Sequence, residues 1–301
     1  MSVQIGRVIT AMATPFDDAG RVDYPRARQL ASALIASGSD GLVITGTTGE
    51  SPTLTNDEKL NLYREVRSEV GPSVALIAGS TNYSTAESIE LSLEASRLGM
   101  DAILGTVPYY NKPPQEGLYR HFKAIAEAVP LPIMLYNVPT RTVTNMSFET
   151  TIRLSEIENV IGIKEASGNL DAIAKIIAGG RPGFRVWSGD DPMTLPILSI
   201  GGFGVVSVAS HLVGNQIQEM IQRFVRGAVD DAAAIHRQLL PLFNALFLTT
   251  SPIPLKHALA RVGFPIGTCR LPLVEIDGAS ASVLDTELGK SQIDLPVPAA
   301  A

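Results

Sequence analysis

Lys164 closes the apolar run Val160-Ile161-Gly162-Ile163 and is followed at once by Glu165-Ala166-Ser167-Gly168, which places an amine where a buried strand should run out into a loop. Desolvation there penalises the ammonium ion and favours the neutral amine, the form that attacks a ketone to make a Schiff base. Taken alone, a lysine that merely ends a strand and carries its charge out to water would read the same way. Other reactive groups recur at comparable places. Gly46-Thr47-Thr48-Gly49-Glu50-Ser51 is a glycine-flanked turn with two hydroxyls and backbone N–H groups able to hold a carboxylate. Pro108-Tyr109-Tyr110-Asn111, Tyr136-Asn137-Val138-Pro139-Thr140-Arg141, Gly189-Asp190-Asp191 and Ser207 also sit at the ends of apolar runs. Each segment alone is weak, since Gly-Thr-Thr-Gly is also an ordinary tight turn and paired tyrosines pack more often than they catalyse. Brought together, a lysine, tyrosines, hydroxyls and an arginine fit carbonyl chemistry better than a structural ring.

The elements that would bring them together are legible as short runs. Val8 to Ala11, Gly41 to Ile44, Val74 to Ala78, Ala102 to Leu104, Pro132 to Tyr136, Val160 to Ile163, Phe184 to Trp187 and Gly204 to Val208 are continuously apolar rather than alternating. That is the pattern of strands covered on both faces. The segments between them have helical spacing, as in Tyr24 to Ala36 and in Ala86 to Leu98, which Gly99 follows as a C-cap. The pattern predicts an α/β fold, a closed (β/α)8 TIM barrel, with a doubly wound open sheet as the alternative. In such a barrel the C-terminal strand ends carry the active site, which is where the reactive groups fall. After the eighth run only helical spacing remains, in Gln216 to Arg226, Asp230 to Phe247 and Leu255 to Val262, with Pro252 and Pro254 as a break. The expected organisation is a barrel over residues 1–225, a C-terminal helical extension over 226–291 and a frayed tail over 292–301.

Composition excludes several classes. A chain of 301 residues holds a barrel of about 250 residues with an extension as one unit. A formal charge of −6 without a run of cations argues against a nucleic-acid surface. One cysteine, Cys269, excludes a disulfide framework and a multi-cysteine metal site, and fits a reducing compartment. No stretch approaches the roughly 20 apolar residues that span a bilayer, and Met1 to Phe16 shows no signal-peptide pattern, so a soluble cytoplasmic protein without membrane association is expected. Asp190 and Asp191 lack companions at metal-ligand spacing, so they read as a loop brace and no metal is expected. His121, His211, His236 and His257 are scattered and read as packing or surface residues. Gly201-Gly202-Phe203-Gly204 precedes a strand rather than opening a helix, so it is not a dinucleotide fingerprint.

The turn Gly46 to Ser51, Pro108-Tyr109-Tyr110-Asn111, Tyr136-Asn137-Val138-Pro139-x-Arg141, Ile161-Gly162-Ile163-Lys164-Glu165 and Ser188-Gly189-Asp190-Asp191 together resemble the 4-hydroxy-tetrahydrodipicolinate synthase (dihydrodipicolinate synthase) family, within the N-acetylneuraminate lyase superfamily of Schiff-base class I aldolases. The resemblance runs from about Gly6 to about Leu273. It implies condensation of pyruvate with L-aspartate 4-semialdehyde, the committed step toward diaminopimelate and lysine, with no cofactor beyond a covalent imine of pyruvate on Lys164. It further implies that Tyr136 relays protons, that Thr47 is its hydrogen-bond partner, and that Tyr110 completes the relay by crossing a tight-dimer interface into a neighbouring subunit's site. Thr48 matches a ligand of the pyruvate carboxylate, Gly189 and Val206 line the pocket through their backbone, and Arg141 matches the clamp on the semialdehyde carboxylate. A homo-oligomer, a tetramer built from tight dimers, is implied as well.

The alternative within the superfamily is a sister aldolase or lyase acting on a sugar acid such as N-acetylneuraminate or a 2-keto-3-deoxy acid. Those enzymes keep the lysine and tyrosine but generally lack the arginine at the position of Arg141. A sensor that merely kept the pocket would not need Lys164, Tyr136, Thr47 and Tyr110 together. Lysine-inhibited members bind lysine at positions that here are Ser51, Asn56, Lys59, Tyr83, Glu87 and Tyr109. Sensitive members commonly carry histidine or glutamate in place of Lys59 and asparagine in place of Tyr83, so weak or absent lysine feedback is expected for this chain.

Overall fold

The computed structural model describes residues 4–297. Eight short strands form one closed, parallel barrel in chain order, with the eighth paired to the first. They are β1 (Val8–Ala11), β2 (Gly41–Ile44), β3 (Ala75–Ala78), β4 (Ala102–Thr106), β5 (Ile133–Asn137), β6 (Val160–Glu165), β7 (Arg185–Ser188) and β8 (Gly204–Ser207). Around them lie α1 (Tyr24–Ala36), α2 (Asn56–Val70), α3 (Thr85–Arg97), α4 (Gln115–Ala128), the single turn α5 (Pro139–Thr142), α6 (Phe148–Ser155), α7 (Leu170–Gly179), α8 (Thr194–Ser199) and α9 (Ser210–Val225). Three further helices follow, α10 (Val229–Ala245), α11 (Ile253–Arg261) and α12 (Gly278–Lys290). Among the described residues, no helix is long and apolar enough to cross a membrane.

The continuous apolarity of the strands resolves into two cores because successive side chains point to opposite faces. Ile9, Val43, Ile77, Leu104 and Met134 fill the barrel interior, while Val8, Leu42, Leu76, Ile103 and Leu135 pack outward under the helices. Local signals start the helices. Thr55 and Glu58 form a reciprocal capping box on α2, and Ser84, Ser147 and Asn169 each accept a backbone N–H at the starts of α3, α6 and α7.

One irregularity matters for the chemistry. Ile133 pairs with Val160, but Met134 pairs with Gly162, so β6 carries one extra residue, Ile161, and only beyond it does Tyr136 stand level with Lys164. A one-residue slip exchanges the faces of a strand. Without the bulge Lys164 would face the helices instead of the barrel interior.

At the barrel closure, fully buried His211 bridges β1 and β8. Its Nε2 accepts the N–H of Ala13 at 3.1 Å, which leaves Nδ1 to donate to the carbonyl of Val208 at 2.8 Å. Burial pushes the ring down to about 4, and the hydrogen bond to Val208 only partly opposes this. A neutral ring preferred by the fold contributes stability that is complete above the unfolded value of 6.5 and is lost as pH falls toward 4. The shift corresponds to about 3 kcal/mol. His211→Asn is therefore expected to lower the melting temperature at neutral pH yet flatten its decline between pH 6.5 and 4. A variant whose melting temperature falls as steeply as wild type over that window would refute this.

The C-terminal region departs from expectation in two places. Sequence spacing does not mark α12, because its Gly-Ala-Ser-rich start carries little amphipathic pattern, although Asp277 caps it through the N–H groups of Ala279 and Ser280. Within the tail expected to fray from residue 292, Asp294 and Leu295 are held against the fold; residues 298–301 lie outside the described residues. The reason is a kink in α9 at Val213, whose φ of −132° and ψ of 39° interrupt the helix. The donors freed beyond the kink need acceptors, and the Asp294 carboxylate takes the N–H of Gln216 at 3.0 Å while the Asp294 N–H donates to the carbonyl of Leu212 at 2.7 Å. Leu295 is buried beside them.

Candidate active site

Lys164 is 5 % exposed, and its Nζ lies 4.2 Å from the centre of the Tyr136 ring. Backbone register places Thr106, Tyr136, Lys164 and Trp187 on one level of the barrel. Gly189 makes room for the lysine, and Gly162 lets β6 and β7 approach closely. A Cβ on Gly189 would stand 3.2 Å from Lys164 Cε and 2.8 Å from Ala166 Cβ. A Cβ on Gly162 would meet the carbonyl of Arg185 at 2.3 Å. Val206 is buried in the same interior cluster as Tyr136. Nearby, buried Asp191 accepts Ser207 Oγ at 2.5 Å and the N–H groups of Val208 and Ala209, each at 3.0 Å. Burial pushes its carboxyl up, while these hydrogen bonds and the charge of Lys164 pull it down. Asp191 thus braces the start of the β8 loop, and Asp190 beside it is raised to about 6, by burial first and by Asp191 second.

The turn after β2 is held from both sides. Thr45 and Glu50 each adopt a φ of 56°, a left-handed conformation costly for residues with a Cβ. Thr14 Oγ1 donates to the carbonyl of Gly49 at 2.7 Å, and a Cβ on Gly49 would come 3.1 Å from the carbonyl of Met12. Glu50 is buried; its Oε1 pairs with Lys256 Nζ on α11 at 2.7 Å, and its Oε2 accepts the N–H of Arg270 at 2.9 Å. Nothing in the sequence marks this pair, because its partners lie far apart along the chain. Thr48 is buried in the turn, and Thr47 lines a cavity of about 70 Å³ with Ser51, Thr81, Thr106 and Tyr109. Among the described residues, Thr47 and Tyr136 share no direct hydrogen bond.

Tyr110 does not join this group within the single chain. It is 92 % exposed at a φ of 74°. Arg141 sits on α5, exposed, with Nη2 donating to the carbonyl of Ser251 at 3.2 Å. Tyr109, which lines the 70 Å³ cavity, meets Tyr83 edge to face at 5.1 Å, and Asn82 donates to Glu87 at 2.9 Å. Half-buried Lys59 is pushed down by desolvation and held up by Glu87. Burial, then the neighbouring Tyr83 and Glu87, raises Tyr109. Larger cavities occur elsewhere, about 400 Å³ beside α11 and α12 and about 440 Å³ under the barrel, but neither is lined by Lys164.

A sequence model of the dihydrodipicolinate synthetase family matches residues 4–289. The chain belongs to that family. Among curated proteins, the 4-hydroxy-tetrahydrodipicolinate synthase of Dehalococcoides mccartyi is 56% identical over 294 residues, covering 98% of this chain and 99% of its own. Of solved dihydrodipicolinate synthases, the one from Cyanidioschyzon merolae with lysine bound is 48% identical with a TM-score of 0.94, covering 95% of this chain and 98% of that one. The chloride-inhibited dihydrodipicolinate synthase of Acinetobacter baumannii complexed with pyruvate is 36% identical with a TM-score of 0.92, covering 95% of this chain and 99% of that one. The family's closed barrel agrees with the one described above.

Proposed function

We propose that this chain is a lyase that condenses pyruvate with L-aspartate 4-semialdehyde to give 4-hydroxy-tetrahydrodipicolinate, the committed step of diaminopimelate and lysine biosynthesis. The observation that carries the reading is the buried Lys164 amine set against the Tyr136 ring at the C-terminal end of the barrel. The neutral amine attacks C2 of pyruvate, water leaves, and the protonated imine draws electrons so that the methyl group loses a proton to become an enamine. The enamine carbon bonds to the aldehyde carbon, whose oxygen takes a proton. The amino group of the adduct then attacks C2, closing the ring and releasing Lys164. No resident cofactor or metal enters these steps.

Tyr136 and Thr47 move protons, Thr48 and the backbone at Gly189 and Val206 receive pyruvate, and Arg141 receives the semialdehyde carboxylate through its planar fork of donors. The exposure of Tyr110 supports its assignment to a neighbouring subunit's site, hence a homo-oligomer, with a tetramer of tight dimers as the proposed assembly and the cytoplasm as its place. The test is turnover of pyruvate and aspartate semialdehyde coupled to added dihydrodipicolinate reductase. Borohydride-trappable pyruvate without turnover would instead identify a sister aldolase.

Lysine feedback is proposed to be weak or absent. Lys59 brings a positive charge beside Glu87 that repels a cationic ligand, and Tyr83 fills space against Tyr109. Under the coupled assay, lysine should leave most activity intact, and full inhibition at submillimolar concentration would sink the proposal.

A further inference from the structure

Asn137 and Glu165 follow Tyr136 and Lys164 directly and stand level with each other in the β5–β6 ladder. Alternation turns their side chains away from the barrel interior, toward a cavity of about 200 Å³ next to α6 and α7. Both are buried, at 1 % and 2 % exposure. The Asn137 amide is fully used. Its Nδ2 donates to Asn145 Oδ1 at 2.8 Å and to both oxygens of Glu165 at 3.2 Å, and its Oδ1 accepts the N–H of Met146 at 3.0 Å. Glu165 Oε1 also accepts the N–H of Ser167 at 2.7 Å. Among the described residues the Glu165 carboxyl has no cation partner, so amide donors are what hold it.

The loop that leaves β5 at Val138 and carries Arg141 therefore returns, at Asn145 and Met146, to the side chain of the residue it left from. The same amide grips the residue after Lys164. We propose that Asn137 is a positioning residue that fixes Lys164 and Arg141 in one frame, through Glu165 on one side and the Asn145–Met146 return on the other. This rests on the roles proposed above for Lys164 and Arg141. Asn137 touches no substrate; it sets the distance between the enamine carbon and the acceptor clamp, on which orientation-dependent rate enhancement depends.

Asn137→Asp tests it, because it keeps the shape but places an acceptor against the Glu165 carboxyl. The expected result is a drop of about tenfold or more in the rate of borohydride trapping of pyruvate, with the KM for aspartate semialdehyde rising more than the KM for pyruvate. Glu165→Gln alone leaves one acceptor oxygen for the Asn137 amide and the Ser167 N–H, and should cost less than Asn137→Asp, which sets two carboxylates against each other. Combining the two substitutions reverses the donor and acceptor roles, since the amide introduced on β6 can donate to the carboxylate introduced on β5, and should recover trapping to within about threefold of wild type. Asn137→Ser, which cannot span both contacts, serves if the aspartate variant does not fold. A folded Asn137 variant with wild-type trapping and both KM values unchanged would overturn the proposal, as would a double variant no better than Asn137→Asp. If wild type traps pyruvate yet fails to turn over the semialdehyde, the acceptor reading falls, while the trapping rates still decide the Lys164 half.

Discussion

Replacement of Lys164 by alanine should abolish the borohydride-trapped pyruvate adduct and lower turnover by roughly a thousandfold or more, because the covalent route loses its nucleophile. Among the described residues, no other lysine is both buried and free of an acid partner. Lys256 is buried too, but its ammonium is held by Glu50, by the carbonyl of Thr268 at 2.9 Å and over the Phe16 ring. The fold should survive the change, since Lys164 makes no side-chain hydrogen bond among the described residues. Mass spectrometry after borohydride treatment, beside a melting curve, checks both halves. A variant that folds, still gains a trapped adduct and still turns over would displace Lys164 from the mechanism.

Arg141→Ala should act on the second substrate alone. Loss of a paired, charge-assisted contact to a carboxylate costs about 3 kcal/mol, which is roughly a hundredfold in kcat/KM for aspartate semialdehyde. Trapping of pyruvate should be unchanged, because that step precedes the acceptor. Stability should hardly move, given that Arg141 is exposed and anchored only to the Ser251 carbonyl at 3.2 Å. Arg141→Lys should recover only part of the loss, since an ammonium cannot match the planar fork. Equal losses for both substrates would refute a clamp specific to the acceptor.

Much of this architecture is legible in the amino-acid order. The strand runs and most helix positions follow from apolar continuity and helical spacing, and the reactive groups fall at the strand ends as a barrel requires. What the order does not carry is parity. A continuous apolar strand gives no sign of which residues point inward, and the bulge at Ile161 that turns Lys164 toward Tyr136 leaves no compositional trace. Long-range polar partners are equally hidden. Glu50 reads as one letter of a turn, and only folding brings Lys256 and Arg270 against it. The docked tail is hidden for a similar reason, because the need for Asp294 arises from a kink in another helix.

The bond from the Arg270 N–H to Glu50 spans 220 residues. Translation delivers the turn with Thr47 and Thr48 early and its buried counter-charge late. Until Lys256 and Arg270 have cleared the ribosome, the Glu50 carboxylate must stay in water or be buried unpaired, and the latter costs several kcal/mol. A nascent chain thus cannot complete the turn that carries Thr47 and Thr48 until the chain as far as Arg270 has emerged.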